Sequence, residues 1–188
     1  ALRSLTAGRA SALRTLDLAA GIARAHLVLR RAQLGRRVYV GGRMLVVADG
    51  PIAIGDSVCF FDGMLASELL CHAGAGITIG AGCQFNYGLS LEARRSIRIG
   101  ERCRIGAMVR IADATRDGAA PVVLEDDVWL AHGAVIEPGV TIGAGSVVSA
   151  GSVVTTSIPP GFLAIGNPAR PVRLDLMAKS TSQEARDA

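Results

Sequence analysis

The chain has 188 residues, half of them apolar, which is enough for one substantial hydrophobic core. Aromatic residues make up only 4% while glycine occurs 23 times, so the core is predicted to consist of small and aliphatic side chains. The net charge of +4 conceals an asymmetry, because residues 1–37 hold eight of the twenty basic residues and a single acid, Asp17. Such a segment suits phosphate-rich partners or an anionic membrane surface, but without interleaved aromatic residues it argues against nucleic-acid binding.

The first predicted element is an amphipathic helix inside this basic segment. Apolar residues recur at helical spacing and should form one face: Leu13, Leu16, Ala20, Ala23, Leu27 and Leu34. Two interpretations stay open, since the helix can cover an open end of the following domain or dock on a membrane. The apolar stretch is broken by Arg24 and His26, is too short to span a membrane, and does not resemble a cleaved signal peptide. We therefore expect a cytoplasmic protein, either free or held at the inner membrane surface by this helix.

A six-residue repeat dominates the rest of the chain. An aliphatic residue recurs at every sixth place without a miss at Leu124, Leu130, Ile136, Ile142, Val148 and Val154. The same pattern occurs upstream at Ile54, Ile79, Phe85, Ile99 and Ile105. A period of six fits neither a helix nor an alternating strand of ordinary length, but it suits short strands joined by tight corners and stacked as coils. The sequence therefore predicts a parallel β-helix in which the repeated large residue points inward.

Four cysteines occur without a CxxC pair: Cys59, Cys71, Cys83 and Cys103. Nothing in their spacing indicates a disulfide framework, so we expect reduced thiols. Cys83 and Cys103 fall at the small inward-facing places of the repeat, which predicts a packing role for both.

The spacing of the coils locates two interruptions. Coil starts at Ile54, Ile79, Ile99, Leu124 and Ile142 are separated by 25, 20, 25 and 18 residues, and 18 corresponds to an uninterrupted coil of three hexads. The excess predicts excursions around residues 67–77 and 112–121, which is where binding and chemistry tend to collect on a rigid scaffold. We divide the chain into a basic helical segment at 1–37, a β-helix domain at 38–170, and a C-terminal segment with a loose tail at 171–188.

Two stretches, together with the hexads, resemble the hexapeptide-repeat acyltransferases that acetylate sugars and surface polysaccharides. They are FNYGLSLEA and PVVLEDDVWLAHGAVIEPGVTIGAGSVVSAGSVVTTSIPPGFLAIGNPARPVR. The resemblance covers about residues 35–173 and implies an all-β solenoid, a left-handed parallel β-helix. It also implies a homotrimer with three active sites between neighbouring protomers. Acetyl-CoA or another acyl-CoA would be the co-substrate, no metal would be involved, and the acyl group would pass to a hydroxyl of a sugar or polysaccharide.

The resemblance also implies roles for particular residues. Asn86 matches an asparagine that lines the acceptor side of the site, and His132 stands where a residue beside the thioester offers its backbone N–H. Ala150 and Thr155 match backbone contacts to the pantetheine arm of CoA. The basic residues near the nucleotide phosphates correspond to Arg170 and Arg173.

Each of three positions has a simpler interpretation that stays open. Asn86 lies at a predicted corner, where asparagine also tolerates left-handed backbone geometry. Trp129 should face outward, either against a neighbouring subunit or against CoA. Arg170 could pair with an acid such as Asp126 instead of binding phosphate.

The catalytic histidine of the family is missing. Aligned on Ile111 and Asp113, its place is taken by Arg116 or Asp117. The guanidinium of Arg116 stays protonated, and an exposed carboxylate with a pKa of roughly 4, such as Asp113 or Asp117, is a weak base for an alcohol. Of the three histidines, His26 is expected to be solvated or a capping contact, His72 to be a surface residue, and His132 to face outward at the reaction centre.

Two functions therefore stay open. The first is an acyl-CoA-dependent O-acyltransferase in which His132 supplies the base, or in which Asp113 or Asp117 does so weakly. The second is a catalytically inactive trimer that serves as a binding or scaffolding subunit, suggested by the absent histidine and by Glu125 where the family usually has glycine. A zinc carbonic anhydrase of the same fold needs three converging histidines and is disfavoured.

Overall fold

The structure is a computed structural model, and it describes residues 16–173. Within that range one helix, α1 at residues 16–28, precedes twenty short strands. The strands are β1 (Gln33–Leu34), β2 (Tyr39–Val40), β3 (Met44–Ala48), β4 (Ile52–Ile54), β5 (Cys59–Phe60), β6 (Ser67–Cys71), β7 (Gly76–Ile79), β8 (Gln84–Phe85), β9 (Ser90–Ala93), β10 (Ser96–Ile99), β11 (Arg104–Ile105), β12 (Arg110–Ala112), β13 (Val122–Leu124), β14 (Trp129–Leu130), β15 (Val135–Ile136), β16 (Thr141–Ile142), β17 (Val147–Val148), β18 (Val153–Val154), β19 (Phe162–Gly166) and β20 (Ala169–Arg173).

Three sheets form the faces of a triangular prism. Sheet A has the order β1-β4-β7-β10-β13-β16, sheet B the order β2-β5-β8-β11-β14-β17-β19-β20, and sheet C the order β18-β15-β12-β9-β6-β3. Up to β18, consecutive strands enter successive sheets, and each pairs in parallel with the strand one coil away, as Ile105 does with Leu130. The hairpin of β19 and β20 is antiparallel and extends sheet B. The prediction of a parallel β-helix built from six-residue repeats is confirmed.

The repeated large residues fill the prism. On sheet B the buried row is Val40, Phe60, Phe85, Ile105, Leu130, Val148 and Ala164. Cys83 and Cys103 are fully buried beside this row, and their thiols donate to the carbonyls of Gly100 (3.0 Å) and Glu125 (3.1 Å). Their predicted packing role is confirmed, and all four cysteines are free thiols in the structure.

Helix α1 covers the first coil, but not with the face that its pattern predicts. The buried residues are Gly21, Ala25 and Leu29, whereas Leu16 and Leu27 are 67% and 72% exposed. Gly21 decides the contact, because a Cβ there would overlap the ring of Tyr39. The helix thus approaches the coil along its smallest side chains, and the predicted apolar face is turned outward. Leu13, also assigned to that face, lies outside the described residues.

The two predicted excursions have different outcomes. Most of 67–77 is regular, since β6 and β7 lie there, and the extra residues occupy a connection at 61–66 and a turn at 72–75. The second excursion is present at residues 113–121, between β12 and β13. Strand β1 lies before residue 38, and the terminal hairpin strand β20 continues past residue 170.

Candidate active site

The predicted site residues lie on two different edges of the prism. We call the corner at which the chain passes from sheet B to sheet C the B–C edge, and the corner from sheet C to sheet A the C–A edge. Asn86, His132 and Ala150 follow strands of sheet B and lie on the B–C edge. The C–A edge carries Asp113, Arg116, Asp117 and Thr155, while Trp129, Arg170 and Arg173 lie on sheet B itself.

The B–C edge is a regular ladder of tight turns. One residue of each coil occupies the same place, namely Tyr87, Ala107, His132 and Ala150. The following amide donates to the carbonyl one coil away, as Gly133 does to Ala107 (2.9 Å) and Gly151 to His132 (2.9 Å). Within the described residues, the backbone N–H groups of His132 and Ala150 have no acceptor. This edge therefore presents outward-facing backbone donors at a spacing of about 4.8 Å per coil.

Asn86 begins one of these turns and is exposed. Its backbone is not left-handed, since the positive φ of this turn, 68°, belongs to Gly88. Tolerance of left-handed geometry therefore does not explain the asparagine. The Oδ1 atom accepts the backbone N–H of Tyr87 (2.9 Å), which orients the amide and leaves its NH₂ group for an external acceptor.

Trp129 faces outward on sheet B, as predicted, and is 48% exposed. The guanidinium carbon of Arg104, one coil away in register, lies 5.9 Å from the centroid of the indole. This distance is within the range of a cation–π contact. The pair forms an amphipathic surface beside the B–C edge.

On the C–A edge, residues 113–120 form a tight hairpin that projects from the prism. The amide of Ala120 donates to the carbonyl of Asp113 (2.8 Å), and that of Thr115 donates to Gly118 (2.8 Å). Arg116 and Asp117 occupy the exposed tip. The place of the family's histidine is thus held by a guanidinium and a solvated carboxylate.

The prediction that Asp113 is an exposed carboxylate is wrong. Its side chain is fully buried, and its two oxygens accept the backbone N–H groups of Arg94 (2.7 Å) and Arg95 (2.8 Å). Because both oxygens are directed into the backbone of the neighbouring coil, Asp113 anchors the C–A edge and has no oxygen turned toward a substrate.

His72, predicted to be a surface residue, has a defined partner in the structure. The side chain is 35% exposed, and Nε2 lies 3.1 Å from Oε1 of Glu92 on the next coil. Burial opposes ionisation of Glu92, but the hydrogen bonds from His72 and Arg94 outweigh it and hold the pKa of Glu92 below its ordinary value. In the strand ladder Glu92 pairs with Leu70, two residues before His72, so equal spacing from the coil starts does not give the register of this contact.

The last coil and the terminal hairpin carry the residues assigned to CoA. Thr155 is exposed on the C–A edge, and Arg170 and Arg173 are exposed on β20. Successive side chains of a strand alternate in direction, so these two arginines point to opposite faces of β20. An ion pair between Arg170 and Asp126 is not observed in the described part of the chain; Asp126 accepts the amide of Glu101 (2.8 Å) and lies 3.7 Å from Nη2 of Arg102.

Glu125, which replaces a glycine of the family pattern, has a structural role. Its Oε2 atom accepts the backbone N–H of Ala144 at 2.8 Å. The substitution joins two neighbouring coils and does not disturb the coil start.

Among residues 16–173, His, Cys, Asp and Glu side chains do not gather in threes as a metal site would require. No helix in the described part of the chain combines the length and apolar character needed to cross a membrane.

Part of the sequence and the overall fold are similar to those of known transferases. Residues 121–156 match the family model described as bacterial transferase hexapeptide, six repeats. A Schizosaccharomyces pombe protein named as an acetyltransferase is 37% identical over 53 residues, which are 28% of this chain and 26% of the yeast protein. The match to this curated relative thus covers only a small part of its length.

Solved structures match over most of the chain. A hexapeptide-repeat acetyltransferase from Vibrio cholerae is 26% identical with a TM-score of 0.60, over 92% of each chain, and has also been solved with acetyl coenzyme A. An N-acyltransferase from Bacillus cereus, in complex with dTDP and 3-hydroxybutyryl-CoA, shares the fold with a TM-score of 0.66 at 18% identity, over 87% of this chain and 95% of that one. The chain thus carries hexapeptide repeats and shares the parallel β-helix fold of these structures.

Proposed function

We propose that the chain is an acyl-CoA-dependent O-acyltransferase, with acetyl as the donor group and a sugar or polysaccharide hydroxyl as the acceptor. The observation that carries the proposal is the ladder of unpaired backbone donors at His132 and Ala150 on the B–C edge. Donors fixed by the scaffold suit a thioester, because they stabilise the negative charge that develops on its carbonyl oxygen. The acetyltransferase from Vibrio cholerae, solved with acetyl coenzyme A, supports the choice of donor.

In this proposal, acyl-CoA lies along the B–C edge near the last coils. The thioester carbonyl accepts the N–H of His132, and the pantetheine arm passes the N–H of Ala150. Either Arg170 or Arg173 reaches the nucleotide phosphates from β20, since the two point to opposite faces. Trp129 offers an exposed aromatic surface to the same ligand.

The site would be completed by a second copy of the chain in a homotrimer. The B–C and C–A edges are different corners of one prism, so residues of both edges cannot surround one small ligand within a protomer. Ala150 and Thr155, both assigned to pantetheine, lie on these different edges. A closed trimer that sets the B–C edge of one protomer against the C–A edge of the next brings them together and creates three equivalent sites.

A second function is favoured by one observation, namely the chemistry of the hairpin at 113–120. Arg116 is permanently protonated and Asp113 is buried in backbone hydrogen bonds, so neither can replace the histidine of the family. A trimer that binds acyl-CoA without turnover, as a binding or scaffolding subunit, would retain the B–C ladder and need no base.

The outward face of helix α1 supports a proposal about location. Leu16 and Leu27 lie on this face and are 67% and 72% exposed, on a segment rich in arginine. Such a surface suits peripheral contact with anionic lipid at the cytoplasmic side of a membrane. Sedimentation with anionic vesicles, compared between the wild type and Leu27→Ser, tests this contact.

Acyl transfer is tested with the full chain and acetyl-CoA. Release of the CoA thiol is followed with a panel of hexoses, oligosaccharides and nucleotide amino sugars, and products are identified by mass spectrometry. The proposal expects acceptor-dependent thiol release with a gain of one acetyl group. Binding of CoA without acetylation of any acceptor supports the scaffolding function, and absence of both binding and turnover contradicts both functions.

A further inference from the structure

Exposed apolar side chains line the B–C edge between the proposed thioester and the first coil. Four large residues, between 44% and 76% exposed, form what we call the apolar strip: Phe61, Met64, Leu65 and Met108. Met108 lies in the turn one coil before that of His132, and the loop at 61–66 lies two coils further on. The strip thus extends over three coils, or about 14 Å along the prism, from the proposed thioester.

The members of the strip meet across Gly88. A Cβ at Gly88 would lie 3.4 Å from Cβ of Leu65 and 3.4 Å from Cγ of Met108, so both side chains flank this glycine. A Cβ at Gly63 would overlap the ring of Tyr87, which shows that the loop packs closely on the turn beneath it. The loop is therefore held on the edge while its large apolar side chains stay exposed.

The backbone of Met108 is left-handed, with φ of 58°. The same place in the other turns of this edge, from Asn86 onward, is taken by glycine: Gly88, Gly133 and Gly151. Within residues 16–173, the other non-glycine residues with positive φ lie on the edge between sheets A and B and are polar or charged: Arg37, Ser57, Arg102 and Asp127. A long side chain is disfavoured in this conformation, and such strain collects at functional sites. Since Met108 is 45% exposed, core packing does not account for it.

The neighbouring protomer offers no matching apolar surface in the proposed trimer, where the B–C edge faces the C–A edge of the next chain. Along the same coils, the C–A edge carries the polar side chains of His72, Glu92 and Arg94. Covering the strip with these groups would remove their charges from water without giving them partners. A hydrocarbon chain buries apolar side chains without this cost.

The strip leads from the reaction centre toward helix α1. Nη1 of Arg24 donates to the carbonyls of Val40 (3.2 Å) and Gly41, which holds α1 where the B–C edge begins. The outward leucines of this helix, Leu16 and Leu27, are those proposed to contact a membrane. A chain laid along the strip would therefore pass from the proposed acceptor site to the part of the molecule that faces lipid.

We propose that the acceptor is a saccharide joined to a hydrocarbon chain, and that this chain lies on the apolar strip. The inference rests on the acyl transfer proposed above and names the class of its acceptor. The sugar lies between His132 and Asn86, with the reacting hydroxyl at the thioester. The hydrocarbon chain passes Met108 and Leu65 and leaves the protein near α1.

The test uses methyl, butyl and octyl glycosides of one sugar, each below its micelle concentration. The sugar is the best acceptor of the panel, or glucose if none is found. Turnover with acetyl-CoA gives kcat/KM, and isothermal titration in the presence of CoA gives the affinity for the same glycosides. Because each buried methylene strengthens binding about fourfold, the octyl glycoside should exceed the methyl glycoside at least about tenfold in both measurements.

Three variants of the full chain show where the hydrocarbon binds. Met108→Gly and Leu65→Ser remove side chains of the strip, and Met108→Gly restores the residue that suits a left-handed turn, so it should fold. Ile165→Ser is the control, because it removes an apolar side chain, 42% exposed, from the terminal hairpin at the other end of the prism. We expect the preference for octyl over methyl to fall to about threefold or less in both strip variants and to persist in the control.

Several results would overturn only this inference. One is a wild type that acetylates methyl and octyl glycosides equally well and binds them equally. Another is a preference for octyl that Ile165→Ser weakens as much as the strip variants do. A preference for octanoyl-CoA over acetyl-CoA that the strip variants abolish would assign the strip to the acyl chain. Loss of the trimer in the strip variants, with an unchanged preference for octyl, would make the strip a protomer interface.

The binding measurement separates failure of this inference from failure of the proposed function. A wild type that binds the octyl glycoside through the strip but transfers no acyl group contradicts the proposed transfer and supports the strip as the site of a hydrocarbon chain. A wild type with neither turnover nor chain-length-dependent binding overturns both.

Discussion

The B–C and C–A edges of the prism are built in different ways. The B–C edge from Asn86 onward repeats one short turn, with left-handed residues at Gly88, Met108, Gly133 and Gly151 and backbone donors that point outward. The C–A edge varies from coil to coil and carries the hairpin, the buried Asp113 and the His72–Glu92 pair. Regular turns present backbone N–H groups in fixed positions, whereas irregular turns can position charged side chains. The proposed reaction needs one edge of each kind.

The largest effect on stability is expected from removing the anchor of the C–A edge. In Asp113→Ala, the amides of Arg94 and Arg95 lose two charge-assisted hydrogen bonds, so the free energy of unfolding should fall by about 3 kcal/mol. Asp117→Ala changes an exposed carboxylate on the same hairpin and should stay within about 0.5 kcal/mol of the wild type. Urea unfolding followed by circular dichroism measures both variants. Equal stabilities of the two would show that the C–A edge does not depend on Asp113.

A smaller effect is expected from removing a single donor of the B–C edge. Ala150→Pro deletes the backbone N–H, and the turn should accept proline because Pro138 and Pro160 already precede left-handed glycines with φ of 79° and 73°. Loss of one hydrogen bond should weaken acetyl-CoA binding about 5- to 10-fold.

The matched control for this change is Ala81→Pro. Ala81 also precedes a left-handed glycine, Gly82, but lies on the edge between sheets A and B. Isothermal titration with acetyl-CoA should show weaker binding for Ala150→Pro alone. Equal affinities of the two proline variants would mean that the B–C ladder does not contact CoA.

The smallest effect concerns the pH dependence of stability on the C–A edge. The pKa of Glu92 is lower in the folded chain than its ordinary value, so its charge contributes stability above about pH 4.3. That contribution is lost as the pH falls through the folded-state pKa. We expect Glu92→Gln to be less stable than the wild type at pH 7 by less than about 1 kcal/mol, because the pair is partly solvated, with the difference vanishing in acid. Urea midpoints at pH 7 and pH 3 compare the two chains, and a difference that persists in acid would contradict the account.

Much of the fold could be predicted because the six-residue period recurs along most of the β-helix sequence. The size of a side chain and its place in the repeat are enough to predict burial. This holds for the large residues Leu130 and Ile136 and for the small residues Cys83 and Ala134. The face of helix α1 could not be predicted in this way. Hydrophobic spacing selected Leu16 and Leu27, whereas the contact is decided by shape, since only a glycine at position 21 admits the ring of Tyr39.

The candidate site was predictable where it uses the backbone and less so where it uses side chains. His132 and Ala150 follow from the repeat, because their role needs only a position in a turn. Asp113 and His72 depend on which residue the adjoining coil places beside them. The contact between His72 and Glu92 depends on the turn at 72–75, which is two residues longer than the turn after β9, so the six-residue period does not reveal it.

The most direct test of a site shared between two edges is complementation in mixed trimers. Thr155→Pro removes a backbone N–H from the C–A edge and Ala150→Pro removes one from the B–C edge, so coexpressed chains should form some interfaces in which both edges are intact. Random mixing would make about a quarter of all sites wild type, and kcat/KM for acetyl-CoA should rise to about that fraction of the wild-type value. Activity no higher than the mean of the two separate variants would contradict a site built by two protomers.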